Sequence, residues 1–202
     1  MIPFAKILEP AGFENDVRTP GTQWLIEHPQ AKRPSPLWSQ YLNELRAGFS
    51  SMCGYAAMRV DSDPTVDHYL SWTRHPDQAY EWSNYRFASN LMNNIKRTKD
   101  SAVLDPFEVG EGWFEIQLPS LQMAVTDAVP KALRTKAEFT IKALKLRDDE
   151  RVIRWRQSWY EMYLSGDLKL EGLRKVAPLI AAAVDKQKTK INPARRKKSS
   201  PS

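Results

Sequence analysis

Residues 79–96 read AYEWSNYRFASNLMNNIK, and this stretch decides the fold because two kinds of element follow each other within it. The segment 79–89 is typical of an ordered loop that enters a short strand. The segment 89–99 predicts a short helix, in which Leu91 and Ile95 are four residues apart and should form the buried side. A strand that runs into a helix is therefore expected at the centre of the chain.

A second strand is predicted upstream, where the β-branched pair Thr65-Val66 precedes Asp67 and His68. Two short strands are expected between Cys53 and Val66, joined through DSDP at 61–64, a typical turn composition. Together with the downstream strand and helix they predict a small ββα centre, and hence an α+β fold class.

The polar residues of this centre are suited to phosphodiester chemistry. Asp67 and Asn93 offer two oxygen ligands of the kind that hold Mg²⁺ and leave several coordination positions open. His68 supplies a neutral imidazole near physiological pH, which can take a proton from an attacking water. Neighbouring strand residues point to opposite faces, which would keep Asp67 and His68 apart. A bend at the strand end is therefore needed to bring both side chains to one phosphodiester, and we expect one there. Lys96 and Arg97, about one helical turn after Asn93, are expected to bind backbone phosphates.

The ordered set Asp67-His68, Trp82-Ser83-Asn84 and Asn93-x-x-Lys96 resembles the motif of the HNH, or ββα-metal, endonucleases. The resemblance covers residues 53–99. It implies that His68 is the general base and that Asp67 and Asn93 hold one catalytic divalent cation, Mg²⁺ or Mn²⁺. It also implies that Asn84 braces the loop and orients His68.

A weaker similarity continues through VLDPFEVGEGWFEIQLPS at 103–120. The layout is similar to the HNH nuclease subunits of bacterial anti-phage systems, such as the Septu type, in which an HNH protein works beside an ATPase. This similarity implies a nucleic-acid substrate, DNA before RNA, and a partner ATPase that controls when the nuclease acts.

The cysteine pattern departs from the HNH family. Many relatives carry two CxxC pairs that hold a structural zinc, and the corresponding positions here are Cys53, Ala56, Ser89 and Met92. Since only one cysteine remains, no structural zinc is expected. Hydrophobic packing should replace it, and the candidates are Tyr55, Met58, Leu91 and Met92.

The flanking regions predict one domain with four parts. Five prolines indicate an irregular N-terminal arm over 1–34, with one short helical turn inside it. The nuclease-like core is assigned to 35–125 and begins with a helix from Ser35, its cap, to about Phe49. A helical region covers 126–186 and ends in a helix from about Leu168 to Lys186, with a kink at Pro178.

Residues 187–202 predict a disordered basic tail. Seven of the 30 basic residues follow Asp185, and no acidic residue follows it, so the net charge of +6 belongs to this end of the chain. The tail could contact nucleic acid or only improve solubility, and its composition leaves both readings open.

Composition places the chain among globular proteins, with 42% hydrophobic residues and seven tryptophans. No apolar run approaches the roughly 20 residues that a transmembrane helix needs, and the N-terminal segment is not typical of a signal peptide. One cysteine excludes an internal disulfide framework. A cytoplasmic protein with no membrane contact is expected.

The sequence therefore predicts a metal-dependent endonuclease, with a rival from another class. In the rival hypothesis the ββα fold grips nucleic acid, or serves as an adaptor in a larger complex, without cutting. The segment VIRWRQSWYEMY at 152–163 fits nucleic-acid contact and partner docking equally well.

Overall fold

The structure is a computed structural model that describes residues 1–191, and it combines helices with two small antiparallel sheets. The α-helices are α1 (Thr19–Glu27), α2 (Leu42–Gly48), α3 (Asn90–Lys96), α4 (Lys131–Ala143), α5 (Glu150–Ser165), α6 (Leu170–Val176) and α7 (Pro178–Ile191). The strands are β1 (Pro64–His68), β2 (Tyr85–Ser89), β3 (Phe114–Gln117) and β4 (Gln122–Val125). The mixed helix-and-sheet class follows the prediction.

The first sheet is a two-stranded hairpin with a long loop. β1 pairs with β2 from Pro64 opposite Ser89 to His68 opposite Tyr85, and the residues between 68 and 85 form the loop. Every residue of β2 is buried, because packing covers both faces of this small sheet.

α3 follows β2 without an intervening loop. Ser89 ends the strand and also caps the helix, since its Oγ accepts a hydrogen bond of 3.3 Å from the Met92 amide. In chain order these elements are β1, β2 and α3, which we call the ββα segment, and α3 packs on both strands.

The buried side of α3 differs from the prediction. Met92 and Lys96 are completely buried, whereas Leu91 and Ile95 are only half-buried. Both pairs have helical i,i+4 spacing, so periodicity alone did not distinguish them. The helix turns its 92/96 side to the hairpin because the strand-to-helix junction at Ser89 fixes its rotation.

The N-terminal segment is more regular than predicted. Residues Glu14–Arg18 form a π-helical turn that continues into α1, so 14–21 are helical where an irregular arm was predicted, and the short helical turn expected inside the arm corresponds to the rest of α1. Pro20 lies in the first turn of α1, where a missing backbone N–H costs no helical hydrogen bond.

The helix predicted from Ser35 to Phe49 exists in two parts. Leu37–Tyr41 is a 3₁₀ turn that leads into α2, and Ser35 does not cap it. The Ser35 carbonyl instead accepts a hydrogen bond of 3.0 Å from the Tyr80 hydroxyl.

Only one of the two strands predicted between Cys53 and Val66 forms. The other is reduced to a single bridge between Met52 and Arg59, because Ala57 has a positive φ of 54° that interrupts any extended run.

The C-terminal half follows the helical prediction, with a sharper break than expected. Phe114 and Ile116 of β3 alternate inward as predicted. The predicted last helix is divided into α6 and α7 between Val176 and Pro178. α7 continues to Ile191, so 187–191 are helical rather than disordered, and the rest of the predicted tail lies outside the described residues.

One connected apolar core joins the N-terminal helices, the ββα segment and α4 to α7. No helix in the described range 1–191 is long and apolar enough to cross a membrane.

Candidate functional site

Asp67 is buried at the centre of the ββα segment. Its side chain is 1% exposed, and both carboxylate oxygens have protein partners. The Tyr55 hydroxyl donates to Oδ2 at 2.5 Å, and the Lys96 ammonium donates to Oδ1 at 3.2 Å. Burial raises the pKa of the Asp67 carboxyl and outweighs the opposing effects of Lys96 and Tyr55.

Lys96 is an internal cation, and its predicted role in phosphate binding is corrected. Its side chain is completely buried, and Nζ also donates to the His68 carbonyl at 2.7 Å. An ammonium enclosed in this way does not reach a phosphate. As the last residue of α3, Lys96 reaches back over β1, and its two acceptors there balance the cost of burying its charge.

His68 is enclosed among aromatic side chains. It is 9% exposed, and the Trp38 and Tyr85 rings meet it edge-on with centroids at 4.6 and 5.1 Å. Nε2 donates to the Ala79 carbonyl at 2.8 Å, so the neutral ring keeps Nδ1 as its unprotonated nitrogen. Burial lowers the pKa of His68 to about 4, which keeps the imidazole neutral at physiological pH.

Asp67 and His68 lie on opposite faces of β1. Asp67 faces Tyr55 and α3, whereas His68 faces Trp38 and the loop around Ala79. The bend that was expected to bring both to one phosphodiester is not formed, because regular pairing with β2 continues through His68.

Asn84 closes the loop between β1 and β2. Its side chain accepts from the Leu70 amide at 2.7 Å and donates to the carbonyls of Leu70 and Gln78, both at 2.9 Å. The carbonyl next to that of Gln78, at Ala79, is the one that His68 contacts. Asn84 thus holds the loop segment to which His68 is bound, without touching the imidazole itself.

Asn93 and Arg97 have different surroundings on α3. The Asn93 amide lies against β1, where Nδ2 donates at 3.3 Å to Thr65 Oγ1 and to the Val66 carbonyl. Its neighbour Asn94 is exposed and donates to Asn90 at 2.8 Å. Arg97 is exposed at the end of the helix, with a positive φ of 48°.

The arrangement does not fit a divalent cation as it stands. The Asp67 oxygens are taken by Tyr55 and Lys96, and Asn93 turns its amide nitrogen to β1. Within 1–191, no three His, Cys, Asp or Glu side chains form a group that could hold a metal ion. The carboxylate of Asp67 and the amide oxygen of Asn93 are ligands that suit Mg²⁺. The Lys96 ammonium, however, occupies the position beside Asp67 that the cation would have to take.

The four positions at which hydrophobic packing was expected instead of a structural zinc all lie in the core. Cys53, Ala56, Ser89 and Met92 are all buried. The Ala56 amide donates to Cys53 Sγ at 3.5 Å. Burial raises the pKa of this thiol, so Cys53 behaves as a small apolar side chain here.

Sequence reasoning missed three residues of the site. Tyr55 was expected only to pack, and no role in the site was predicted for Trp38 or Asp100. Asp100 is 5% exposed and accepts from the Ser71 amide at 2.7 Å, which ties the segment after α3 to the segment after β1. A buried Asp or Tyr hydroxyl needs a partner, but the sequence does not name that partner.

Three arginines of α5, in or next to the segment that fits nucleic-acid contact and partner docking equally well, have partners within the chain. Arg151 pairs with Asp149 at 2.9 Å, and Arg154 lies 3.5 Å from Glu150. Arg156 is 1% exposed and donates to the Leu121 carbonyl at 2.9 Å.

No protein-family model matches the chain, and no curated protein is significantly similar to it.

Proposed function

We propose that the protein is a metal-dependent endonuclease of the HNH type, which hydrolyses phosphodiester bonds in DNA or RNA. The observation that supports the proposal is the succession of β1, β2 and α3 with Asp67-His68, Asn84 and Asn93 in the order of the motif. A second observation that supports the proposal is the burial of Cys53, Ala56, Ser89 and Met92, the positions that correspond to the zinc-binding cysteines of many HNH proteins.

The proposed roles follow from what each side chain can do. His68, neutral and with Nδ1 unprotonated, accepts the proton of the attacking water. Asn84 holds the loop that contacts His68, and Asp67 with Asn93 supplies oxygen ligands for the cation. The cation would stabilise the charge that develops on the phosphodiester.

The proposal includes a rearrangement before cleavage. Lys96 has to withdraw from Asp67, and Nδ1 of His68 has to become open to water while Nε2 stays on Ala79, because Asp67 and His68 are enclosed on opposite faces of β1. A partner ATPase, as in Septu-type anti-phage systems, is proposed as the component that drives this change. Such a partner would also explain how a nuclease is kept inactive until it is needed.

A second function is supported by the same enclosure. In this alternative the ββα segment keeps its shape and serves as a nucleic-acid-binding or adaptor subunit without cutting. The specific observation in its favour is the Lys96 ammonium on Asp67, since an internal cation satisfies that carboxylate without any metal.

Plasmid cleavage with Mg²⁺ or Mn²⁺ distinguishes the two functions, with and without a candidate partner ATPase. We expect the wild type to cut, and His68→Ala to lose cleavage while it still binds DNA. His28→Ala is the matched control, because His28 is an exposed histidine stacked on Trp24 at 4.5 Å in the N-terminal segment. It should cut like the wild type.

Thermal melting of His68→Gln, which can keep a donor to Ala79, separates lost chemistry from lost folding. If the wild type does not cut under any of these conditions, the nuclease proposal is wrong and the adaptor function stands.

A further inference from the structure

Three basic residues gather where the C-terminal ends of α3 and α4 meet. We call them the basic end, and they are Arg97, Lys99 and Lys145. The Leu104 amide donates to Thr140 Oγ1 at 2.8 Å, so the chain just after Lys99 lies against the last turns of α4. Lys145 follows α4 by two residues, and Arg97 follows α3 directly.

The basic end has no carboxylate partner among the described residues. None of its three side chains forms an ion pair with a residue in 1–190, whereas other basic side chains such as Arg134 and Arg174 pair with two carboxylates each. The nearest acid along the chain, Asp100, is buried against Ser71 and does not contact the three cations.

The backbone at the basic end is unusual for these residue types. Arg97 has a φ of 48° and Lys145 a φ of 53°, in the left-handed region. Glycine or asparagine is favoured just beyond a helix in this conformation, because a longer side chain adds strain. The chain nevertheless carries a cation at both positions.

The positive charges at the basic end repel one another. Lys99 donates to the Lys96 carbonyl at 3.3 Å, an interaction that favours a cation at a helix end. Even so, burial and the neighbouring charges of Arg97, Lys145 and Lys96 lower the pKa of Lys99. A bound anion would relieve this repulsion.

The basic end is joined to the candidate site. Lys96, one residue before Arg97, contacts both Asp67 and the His68 carbonyl. Asp100, one residue after Lys99, holds the Ser71 amide at the end of β1. A polyanion on the basic end therefore lies beside the end of β1 that carries the candidate residues.

We propose that Arg97, Lys99 and Lys145 bind consecutive phosphates of a nucleic-acid strand and position it along the ends of α3 and α4. The inference deepens the proposed function, because it names the residues that hold the substrate backbone and removes Lys96 from that role. The contacts are to phosphates, so DNA and RNA should both bind and base sequence should matter little.

The test measures binding by fluorescence anisotropy in EDTA, where no metal-dependent cleavage occurs. The probes are a labelled 30-base-pair DNA duplex and an RNA duplex of the same length, between 50 and 200 mM salt. The variant Arg97→Gln/Lys99→Gln/Lys145→Gln removes the basic end. The matched control Arg33→Gln/Lys131→Gln/Lys169→Gln removes one arginine and two lysines that are exposed and unpaired among the described residues.

We expect the basic-end variant to bind both duplexes at least about tenfold more weakly at 100 mM salt, with a salt slope smaller by about 0.9 for each lost phosphate contact. The control should bind like the wild type. Inorganic phosphate at millimolar concentration should compete only weakly, because one anion cannot bridge three cations as a strand does.

Equal weakening in both variants would overturn the inference, since net charge alone would then explain binding. Unchanged binding in the basic-end variant would also overturn it. Because binding is read without metal, this result is independent of whether the wild type cuts plasmid, and the two proposals can fail separately.

Discussion

At the scale of single residues, the pair formed by Lys96 and Asp67 is the most consequential contact. Both side chains are buried, with exposed fractions of 0% and 1%, and neither has water to replace a lost partner. Replacing Lys96 by methionine keeps the length of the side chain and leaves Asp67 with only Tyr55. We expect the free energy of unfolding, measured in urea, to fall by about 3 to 5 kcal/mol, because an unpaired buried charge is costly.

The neighbouring exposed cation provides the control for this substitution. Arg97→Met should change the free energy of unfolding by less than about 0.5 kcal/mol. The double variant Lys96→Met/Asp67→Asn should recover part of the loss, since it removes both charges. A Lys96→Met protein as stable as the wild type would contradict the burial of this pair.

Residue identity alone did not reveal this pair. The spacing of Asn93 and Lys96 on one helix was correct, but the direction of the lysine was not, because its burial depends on the hairpin beneath α3. A lysine in the last turn of a short helix is usually exposed, and only the acceptors on Asp67 and His68 reverse that expectation.

At the scale of elements, the loop between β1 and β2 depends on Asn84. Its side chain makes three hydrogen bonds to Leu70 and Gln78, and it is 4% exposed. Asn84→Ala leaves these backbone groups without partners, and we expect a loss of about 2 to 4 kcal/mol in the free energy of unfolding. Amide hydrogen exchange over residues 69–84 should become faster before that of β2 and α3.

Asn94→Ala is the control for the loop. Asn94 is exposed and bonds only to the Asn90 side chain within its own helix, so exchange in the loop should not change. Loop exchange that stays slow in Asn84→Ala would show that the aromatic contacts of His68, rather than Asn84, hold the loop.

The elements that depend on local sequence were predictable, and those that depend on distant contacts were not. β2 and α3 were predicted because YRFAS at 85–89 is typical of a strand and the apolar residues after Ser89 have helical spacing. The helical turn at 14–18 and the rotation of α3 were missed, because packing against the core decides them. For the same reason the expected cap at Ser35 does not form, and its carbonyl binds Tyr80 instead.

At the scale of the whole molecule, His68 makes stability depend on pH. Its pKa is about 4 in the folded chain, against an ordinary value of 6.5, so the unfolded chain binds more protons between these values. The contribution of the neutral His68 to the free energy of unfolding is therefore fully present above pH 6.5 and is lost as the pH falls towards 4. Between pH 7.5 and 5, the free energy of unfolding should fall by about 2 kcal/mol on account of His68.

The difference between the wild type and His68→Gln in urea unfolding at the two pH values isolates this contribution. The raised pKa of Asp67 acts in the opposite direction at lower pH, but it is common to both proteins. An equal pH dependence in both proteins would mean that the imidazole titrates as freely when folded as when unfolded.

For the whole molecule, the sequence predicted the elements on which the candidate residues lie but not the contacts that enclose them. Asp67, Asn84 and Asn93 all lie on the predicted elements. Tyr55 restrains Asp67, whereas Trp38 and the Ala79 carbonyl restrain His68, and these partners come from three other segments of the chain. No local pattern predicts such contacts, because they form only when the full core is built.

The junction at Ser89 has a mechanical consequence. The residue belongs to β2 and caps α3, so strand and helix are joined without any slack. β2 is paired along its length with β1, the strand that carries Asp67 and His68. A nucleic-acid strand bound at Arg97 would therefore act on α3 and on β2 together. A force applied at the C-terminal end of α3 would reach the hairpin by this route. The enclosed Asp67 and His68 would then respond to a ligand that they do not contact.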